Sequence, residues 1–340
     1  MEIEVPQHFP IIRGSYFHDI LDQPRALAAT LEALQPLPIL GSALQDGTFR
    51  QVVLTGMGSS YHALQPLHFF LAGRGIASTV METSELIHYG QRLLGPGTLV
   101  VAVSQSGSSA ETLRLLDLNR GAVILGVTNT ARSPLAIRSA AHVLTMAGAE
   151  HSVSCKTYVA ALLALRWLGD ILCGVDPSPT LREMAQAPAR VEAFIGDLEA
   201  RVESLTQELA SIRSLFLVGR GPSLASTGTG ALIIKEAAHF HAEGMSSAAF
   251  RHGPLEMIHP DMFVLVFAGD LITRPLNERL LADIQAHGGK GSLYDPPSAP
   301  ESLRPLMEIL HVQAITLALA ALQGKEAGAF RWATKITTTE

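Results

Sequence analysis

Val53-Leu-Thr-Gly56-Met-Gly58-Ser59-Ser60 returns 163 positions later as Phe216-Leu-Val-Gly219-Arg-Gly221-Pro-Ser223. Each copy reads as an apolar strand, then Gly-x-Gly-x-Ser, then the start of a helix, and the same offset carries residues 99–103 onto 262–266. Such an internal repeat predicts two equivalent units. Within each, short apolar runs alternate with amphipathic stretches, the pattern of parallel strands with helices on both faces, so the fold class is α/β. Strands are expected near 51–55, 76–81, 98–103, 121–127 and 142–145, and again near 214–218, 262–267 and 290–294. Residues 180–212 read as polar-faced helices punctuated by Pro188 and Gly196, a connector, and 16–33 as one helix packed on the first unit. The expected layout is an arm and helix over 1–35, a phosphate-binding unit over 36–176, a connector over 177–212, a second unit over 213–323 and a tail over 324–340 that closes the active site.

In the first unit the strand Thr98-Leu-Val-Val-Ala-Val103 runs into Ser104-Gln105-Ser106-Gly107-Ser108-Ser109, and Ala110-Glu-Thr-Leu-Arg-Leu-Leu116 then reads as a helix. Four hydroxyls, an amide and a glycine, placed where helix N–H groups lack partners, suit a phosphate. With no Lys or Arg in the loop, the anion would be held by neutral donors and the helix dipole, which favours reversible binding of a small phosphorylated metabolite. At the matching place the second unit has Ala268-Gly-Asp-Leu-Ile-Thr273, whose carboxylate would repel phosphate, so only the first unit is expected to bind the anion.

Composition narrows the partners. Of 340 residues 47% are apolar and 16% charged, which implies a large buried core. A net charge of -6 without a basic stripe argues against nucleic acid. The most apolar helix candidate, 158–173, is interrupted by Arg166 and Asp170 and is too short for a bilayer, and the acidic start lacks the blocks of a signal peptide, so no membrane partner and a cytoplasmic location are expected. Two cysteines, Cys155 and Cys173, rule out a disulfide framework, and Cys173 reads as a buried small hydrophobe. Among 13 histidines no His-Glu-x-x-His occurs, and His239 and His241 would face apart on a helix, so neither a metal nor a cofactor is expected.

The second unit offers catalytic groups. Lys235-Glu236 lies in an otherwise apolar stretch, where a carboxyl has its charged form disfavoured and becomes a base suited to neutral pH. Arg251-His252-Gly253-Pro254 places an imidazole before a turn. In the tail, Phe330, Trp332 and Ile336 would be costly to leave in water and Gly324 and Gly328 supply a hinge, so Lys335 is expected to fold back over a site, where a desolvated amine meets the requirement for a Schiff base.

Together these residues resemble the double sugar-isomerase (SIS) domain family, and within it the isomerase domain of glucosamine-6-phosphate synthases. Gly58-Ser59-Ser60-Tyr61 is similar to the family's Gly-Thr-Ser-Tyr, and the segment from Ser104 to Leu113 to its Ser-Gln-Ser-Gly-Glu-Thr-Ala-Asp-Thr-Leu. The spacing from Lys235-Glu236 through His241-Ala-Glu243 to Arg251-His-Gly-Pro254 is kept, and Lys335-Ile-Thr-Thr-Thr-Glu340 is similar to a closing Lys-Ser-Val-Thr-Val-Glu. The resemblance implies two tandem SIS domains of the flavodoxin-like three-layer αβα kind. It implies that Ser59, Ser60, Ser104, Gln105, Ser106 and Ser109 hold the phosphate and nearby sugar hydroxyls, with Val153 and Ser154 as further substrate contacts. Glu236 would move a proton between C1 and C2, His252, donated by the neighbouring subunit of a homodimer, would help open the ring, and Lys335 would hold the open-chain ketose as an imine.

Three positions depart from the family. Its lysine three residues before the glutamate is Ile233 here; Glu150-His-Ser-Val-Ser-Cys-Lys156 is one residue shorter than Glu-Ile-Gly-Val-Ala-Ser-Thr-Lys; and neither a glutaminase domain nor its N-terminal nucleophilic cysteine is expected. The expected activity is interconversion of ketose and aldose or aminoaldose 6-phosphates, with ammonia release or ammonia-dependent amination as variants. The alternative is a non-catalytic phosphosugar-binding regulatory protein, favoured by Ile233. A nucleotide-cofactor dehydrogenase is set aside, because Tyr61 stands where the third glycine of that fingerprint belongs.

Overall fold

Two short helices open the described chain, which in the computed structural model comprises residues 9–37, 44, 47–332, 334 and 335. The stretch expected as one helix is α1 (Ser15–Leu21) and α2 (Gln23–Ala33), divided at Asp22, because Pro24 in the first turn of α2 cannot donate to the helix before it. The first sheet follows. β1 (Gln51–Gly56) leads through α3 (Ser59–His62) and α4 (Gln65–Ala72) to β2 (Ser78–Glu82), α5 (Thr83–His88) and β3 (Thr98–Val103). Next come α6 (Ala110–Leu118), β4 (Val123–Thr128), α7 (Pro134–Arg138), β5 (Ala141–Leu144) and α8 (Lys156–Leu172). The five strands are parallel, in the order β2-β1-β3-β4-β5, and all six residues of the central β3 are buried, the reason its sequence is a continuous apolar run.

The connector is α9 (Ser178–Met184), α10 (Ala187–Gly196) and α11 (Leu198–Leu209). The second sheet then repeats the plan with β6 (Ser214–Gly219), a 3-10 turn over Gly221–Ser223, α12 (Leu224–Ile233), β7 (Ala242–Ser246), α13 (Ser247–Arg251), β8 (Met262–Phe267), α14 (Arg274–Ala286) and β9 (Lys290–Tyr294). Its parallel order is β7-β6-β8-β9, that of the first sheet without the fifth strand. β7 has no counterpart among the expected strands. It is an edge strand of Ala-Glu-Gly-Met-Ser pairing only with β6, so it needs no apolar run and leaves none in the sequence. α15 (Arg304–Leu322) completes the fold. Residues 301–322 are apolar and long enough to cross a membrane, yet 89% of the 18-residue window that passes this test is buried inside the protein; it outranks 158–173 as the membrane-like segment. α8 and α15 share one core drawn from both units, which also holds Cys155 and Cys173.

The units exchange contacts. α12 packs on α3, and α4 packs on the Gly221–Ser223 turn, so each repeat's first turn faces the other repeat's helix. Gly228 of α12 makes room for the His62 ring, since a Cβ there would lie 2.2 Å from Nδ1. Burial and the charge of Lys235 push His62 down to about 4, so its ring is neutral there.

Where α15 begins, Glu308 is fully buried and accepts from the Ser223 hydroxyl at 2.7 Å. Burial pushes its carboxyl up to about 7, so the folded state holds its proton more tightly than the unfolded chain. That contribution to stability is present below pH about 4.5 and is lost as the pH rises through about 7, amounting to roughly 3 kcal/mol. Urea unfolding of Glu308→Gln should therefore lack much of the decline that the parent shows between pH 5 and 8; an identical decline would contradict this account.

Candidate active site

The chain leaves β1 toward one edge of the first sheet and β3 toward the other, which opens a crevice beyond their carboxyl ends. The serine loop occupies it. Gly107 holds a left-handed conformation (φ +63°), and a Cβ there would lie 2.3 Å from Ser133 Oγ, so the loop closes tightly only with glycine. Ser104 Oγ accepts from the Gly107 N–H at 3.2 Å and Ser106 Oγ from the Ser108 N–H at 3.3 Å, while Ser109 caps α6 by accepting from the Thr112 N–H at 3.4 Å. The Gln105 carbonyl accepts from the Asn129 N–H at 3.0 Å and the Thr128 hydroxyl at 3.2 Å.

Beside this loop lies a small cavity lined by Ser60, Gln105, Asn129, Ser154 and Thr157 among others. The sequence-expected residues divide around it. Ser60, Gln105 and Ser154 face it, Ser59 is buried at the start of α3, and the hydroxyls of Ser104, Ser106 and Ser109 organise the loop. Val153 turns its side chain into the core, so only its backbone is left to offer a ligand.

Glu150 stands behind Thr157, which lines the cavity. Its fully buried carboxylate accepts from the Cys155 N–H at 2.9 Å, the Thr157 N–H at 3.0 Å and the Thr157 hydroxyl at 2.7 Å, and takes the Lys335 ammonium at 2.5 Å. Lys335 also donates to the Ser152 carbonyl at 2.6 Å, so the tail lysine is docked against the loop that supplies Ser154. Gly328, at φ +79°, donates to the Ala237 carbonyl at 3.0 Å and accepts from Ser152 Oγ at 2.8 Å; a Cβ there would fall 2.0 Å from that oxygen. The tail is thus fastened by backbone and charge rather than by its aromatics. Phe330 packs on the core, but Trp332 is 97% exposed, contrary to the expectation that it is buried, and Ile336 lies outside the described residues.

Glu236 stands on the other side of Gly328. α12 ends at Ile233 and passes into a π turn over Ile234–Ala238, which His239 stops in the left-handed region (φ 50°). The helix therefore stops short of His239 and His241, which, contrary to the expectation from sequence, do not lie on one helix. The turn leaves Lys235 exposed and Glu236 partly buried, and Gln323 Nε2 secures it by donating to the Ala238 carbonyl at 2.8 Å. Burial raises the Glu236 carboxyl above the ordinary glutamate range, against the opposing charges of Lys335 and Lys235. Ile233, in place of the family lysine, is fully buried in the core. His252 lies apart from this group, exposed at the C-terminal end of α13.

The second unit's loop needs no external anion. Asp270 Oδ1 accepts from the Ile272 N–H at 3.1 Å, the Thr273 N–H at 2.8 Å and the Thr273 hydroxyl at 2.8 Å, so its own carboxylate satisfies the donors ahead of α14. Glu150 is a buried carboxylate to which the sequence assigns no role; its signals are an isolated acid shortly before an apolar helix and its place at the head of the segment matched to the family's Glu-Ile-Gly-Val.

The SIS domain profile matches residues 49–169 and 208–290. A glutamine–fructose-6-phosphate aminotransferase (isomerizing) of Pyrococcus horikoshii is 30% identical over 96% of this chain and 59% of its own length, so the chain spans about three fifths of that relative. In fold it is similar to the C-terminal domain of glucosamine-fructose-6-phosphate aminotransferase from Francisella tularensis (TM-score 0.83, 20% identity, 93% of this chain and 98% of that one). It is also similar to glucosamine-6-phosphate deaminase from Thermotoga maritima (TM-score 0.76, 18% identity, 96% and 100%).

Proposed function

We propose that this chain, which belongs to the SIS domain family, is an enzyme acting on a hexose or hexosamine 6-phosphate, interconverting ketose and aldose or aminoaldose forms. The single observation that carries the reading is the docking of Lys335 on Glu150 and Ser152, where Glu150 also holds Thr157 of the serine-loop cavity, with the Lys335 charge acting on Glu236 as well. In this reading the phosphate takes the neutral donors around the cavity. The carbonyl end reaches the Lys335 amine, which passes its proton toward Glu150 and adds to the carbonyl; loss of water leaves the imine. Glu236, with a proton affinity raised by burial, takes the proton from C1 and returns it to C2. His252 is exposed in the single chain, as a group donated to a second subunit must be, and a homodimer with His252 opening the partner's sugar ring belongs to the same proposal.

Names among the relatives favour the amino variants: an aminotransferase and a deaminase. Release of ammonia from glucosamine 6-phosphate is the direction we favour for this chain acting alone, and amination of fructose 6-phosphate is its reverse. Buried Ile233 favours the second reading, a regulatory protein that binds phosphosugars without turnover. Proton NMR in D2O with fructose 6-phosphate and with glucosamine 6-phosphate separates them. Deuterium entering at C1 or C2, with ammonia released from the amino sugar, is the expected result; binding without exchange establishes the regulatory reading, and absence of binding removes both.

A further inference from the structure

We propose a second small-molecule site in the cleft between the units, one that takes a zwitterion with an apolar body, such as a short peptide bearing both free termini. It does not rest on the phosphosugar reading. The cleft has a volume of about 540 Å³, within the range of ligand pockets. It occupies the place that the internal repeat makes equivalent to the serine-loop cavity. Pro222 enters it from the turn that repeats the Ser60 turn, Asp270 from the loop that replaces the serine loop, and Arg74 from just beyond α4. The residues before and at the start of α15 line it as those before and at the start of α8 line the other.

The ground plan is shared and the charges are reversed. On the wall of the first unit, the guanidiniums of Arg74 and Arg166 lie 3.5 and 4.1 Å from the centroid of the Phe70 ring. Arg166 is already engaged, to Asp170 at 2.9 Å and Thr180 at 3.0 Å. Arg74 is exposed, donates to the Phe70 carbonyl at 3.2 Å, and makes no ion pair among the described residues. On the wall of the second unit stand Asp270, whose Oδ1 serves its own loop, and Glu301, neither in an ion pair among the described residues. Between the walls the lining is apolar, from Phe69, Leu162, Leu163 and Leu306. A phosphate ester would face three carboxylates here, Asp270, Glu301 and Glu183, the last accepting from the Ser302 hydroxyl at 2.7 Å. A molecule with a carboxylate for Arg74, an ammonium for Asp270 and Glu301, and apolar side chains between them meets every surface with its complement.

Calorimetric titration with the dipeptide L-leucyl-L-phenylalanine tests this, alongside its N-acetylated and C-amidated forms. The expected result is a Kd below about 1 mM for the parent peptide. Each blocked form and the Arg74→Ala protein should bind at least about tenfold more weakly, with partial recovery in Arg74→Lys. Because Arg74 is exposed, its variants should fold normally, and a thermal melting midpoint equal to the parent's verifies that. No heat at about 10 mM peptide, blocked forms that bind as tightly as the parent, or an affinity untouched by Arg74→Ala would each overturn the proposal.

Discussion

Replacing Glu236 by Gln should slow exchange of the sugar's C1 and C2 protons with solvent by about 10² to 10⁴-fold while leaving hexose 6-phosphate affinity nearly unchanged. The separation follows from the layout. In the proposed function the phosphate is gripped by groups of the first unit, around Ser60, Gln105 and Ser154, whereas Glu236 belongs to the π turn of the second and takes no part in the serine loop's hydrogen bonds. The amide keeps the size of the carboxylate and removes only its capacity to accept a proton. Isothermal titration and exchange NMR on the same preparation read the two effects separately; exchange at the parental rate in Glu236→Gln would refute the assignment of the base.

Lys335→Ala should reduce the borohydride-trapped adduct of a ketose 6-phosphate to background, measured as intact mass after reduction. The same change removes the ammonium from the buried Glu150 carboxylate, which keeps its three donors from Cys155 and Thr157, so a stability loss of about 1–3 kcal/mol is expected as well. Lys335→Arg separates the two roles. Its guanidinium stays charged and can pair with Glu150, but it cannot form an imine, so it should recover stability and not the adduct. An adduct of full yield in Lys335→Ala would place the imine on another lysine or remove it from the mechanism.

The repeat made the architecture legible, because strands buried on both faces must be continuous apolar runs and those runs recur at one offset. β7 escaped for the converse reason: an edge strand half in water has no such requirement. At the site, residues adjacent in sequence were readable, since Ser104 to Ser109 form one loop whose chemistry is local. What joins Glu150 to Lys335 is a contact across 185 positions, and no spacing rule encodes it. The π turn was invisible too. Its sequence, Ile234-Lys-Glu-Ala-Ala238, is that of an ordinary helix, and the register change depends on Gln323 and Gly328 taking up the Ala238 and Ala237 carbonyls. Trp332 failed as a burial signal because Gly328, Phe330 and Lys335 fasten the tail without it.

The reciprocal seating of α12 on α3 and of α4 on the Gly221–Ser223 turn is the arrangement that two identical chains would adopt about a twofold axis. In such an ancestral pair every substitution strikes both pockets at once. Once the copies are fused into one polypeptide that coupling is gone, so an aspartate can plug one loop while serines persist in the other, and a single descendant can carry two unlike specificities on what began as one surface.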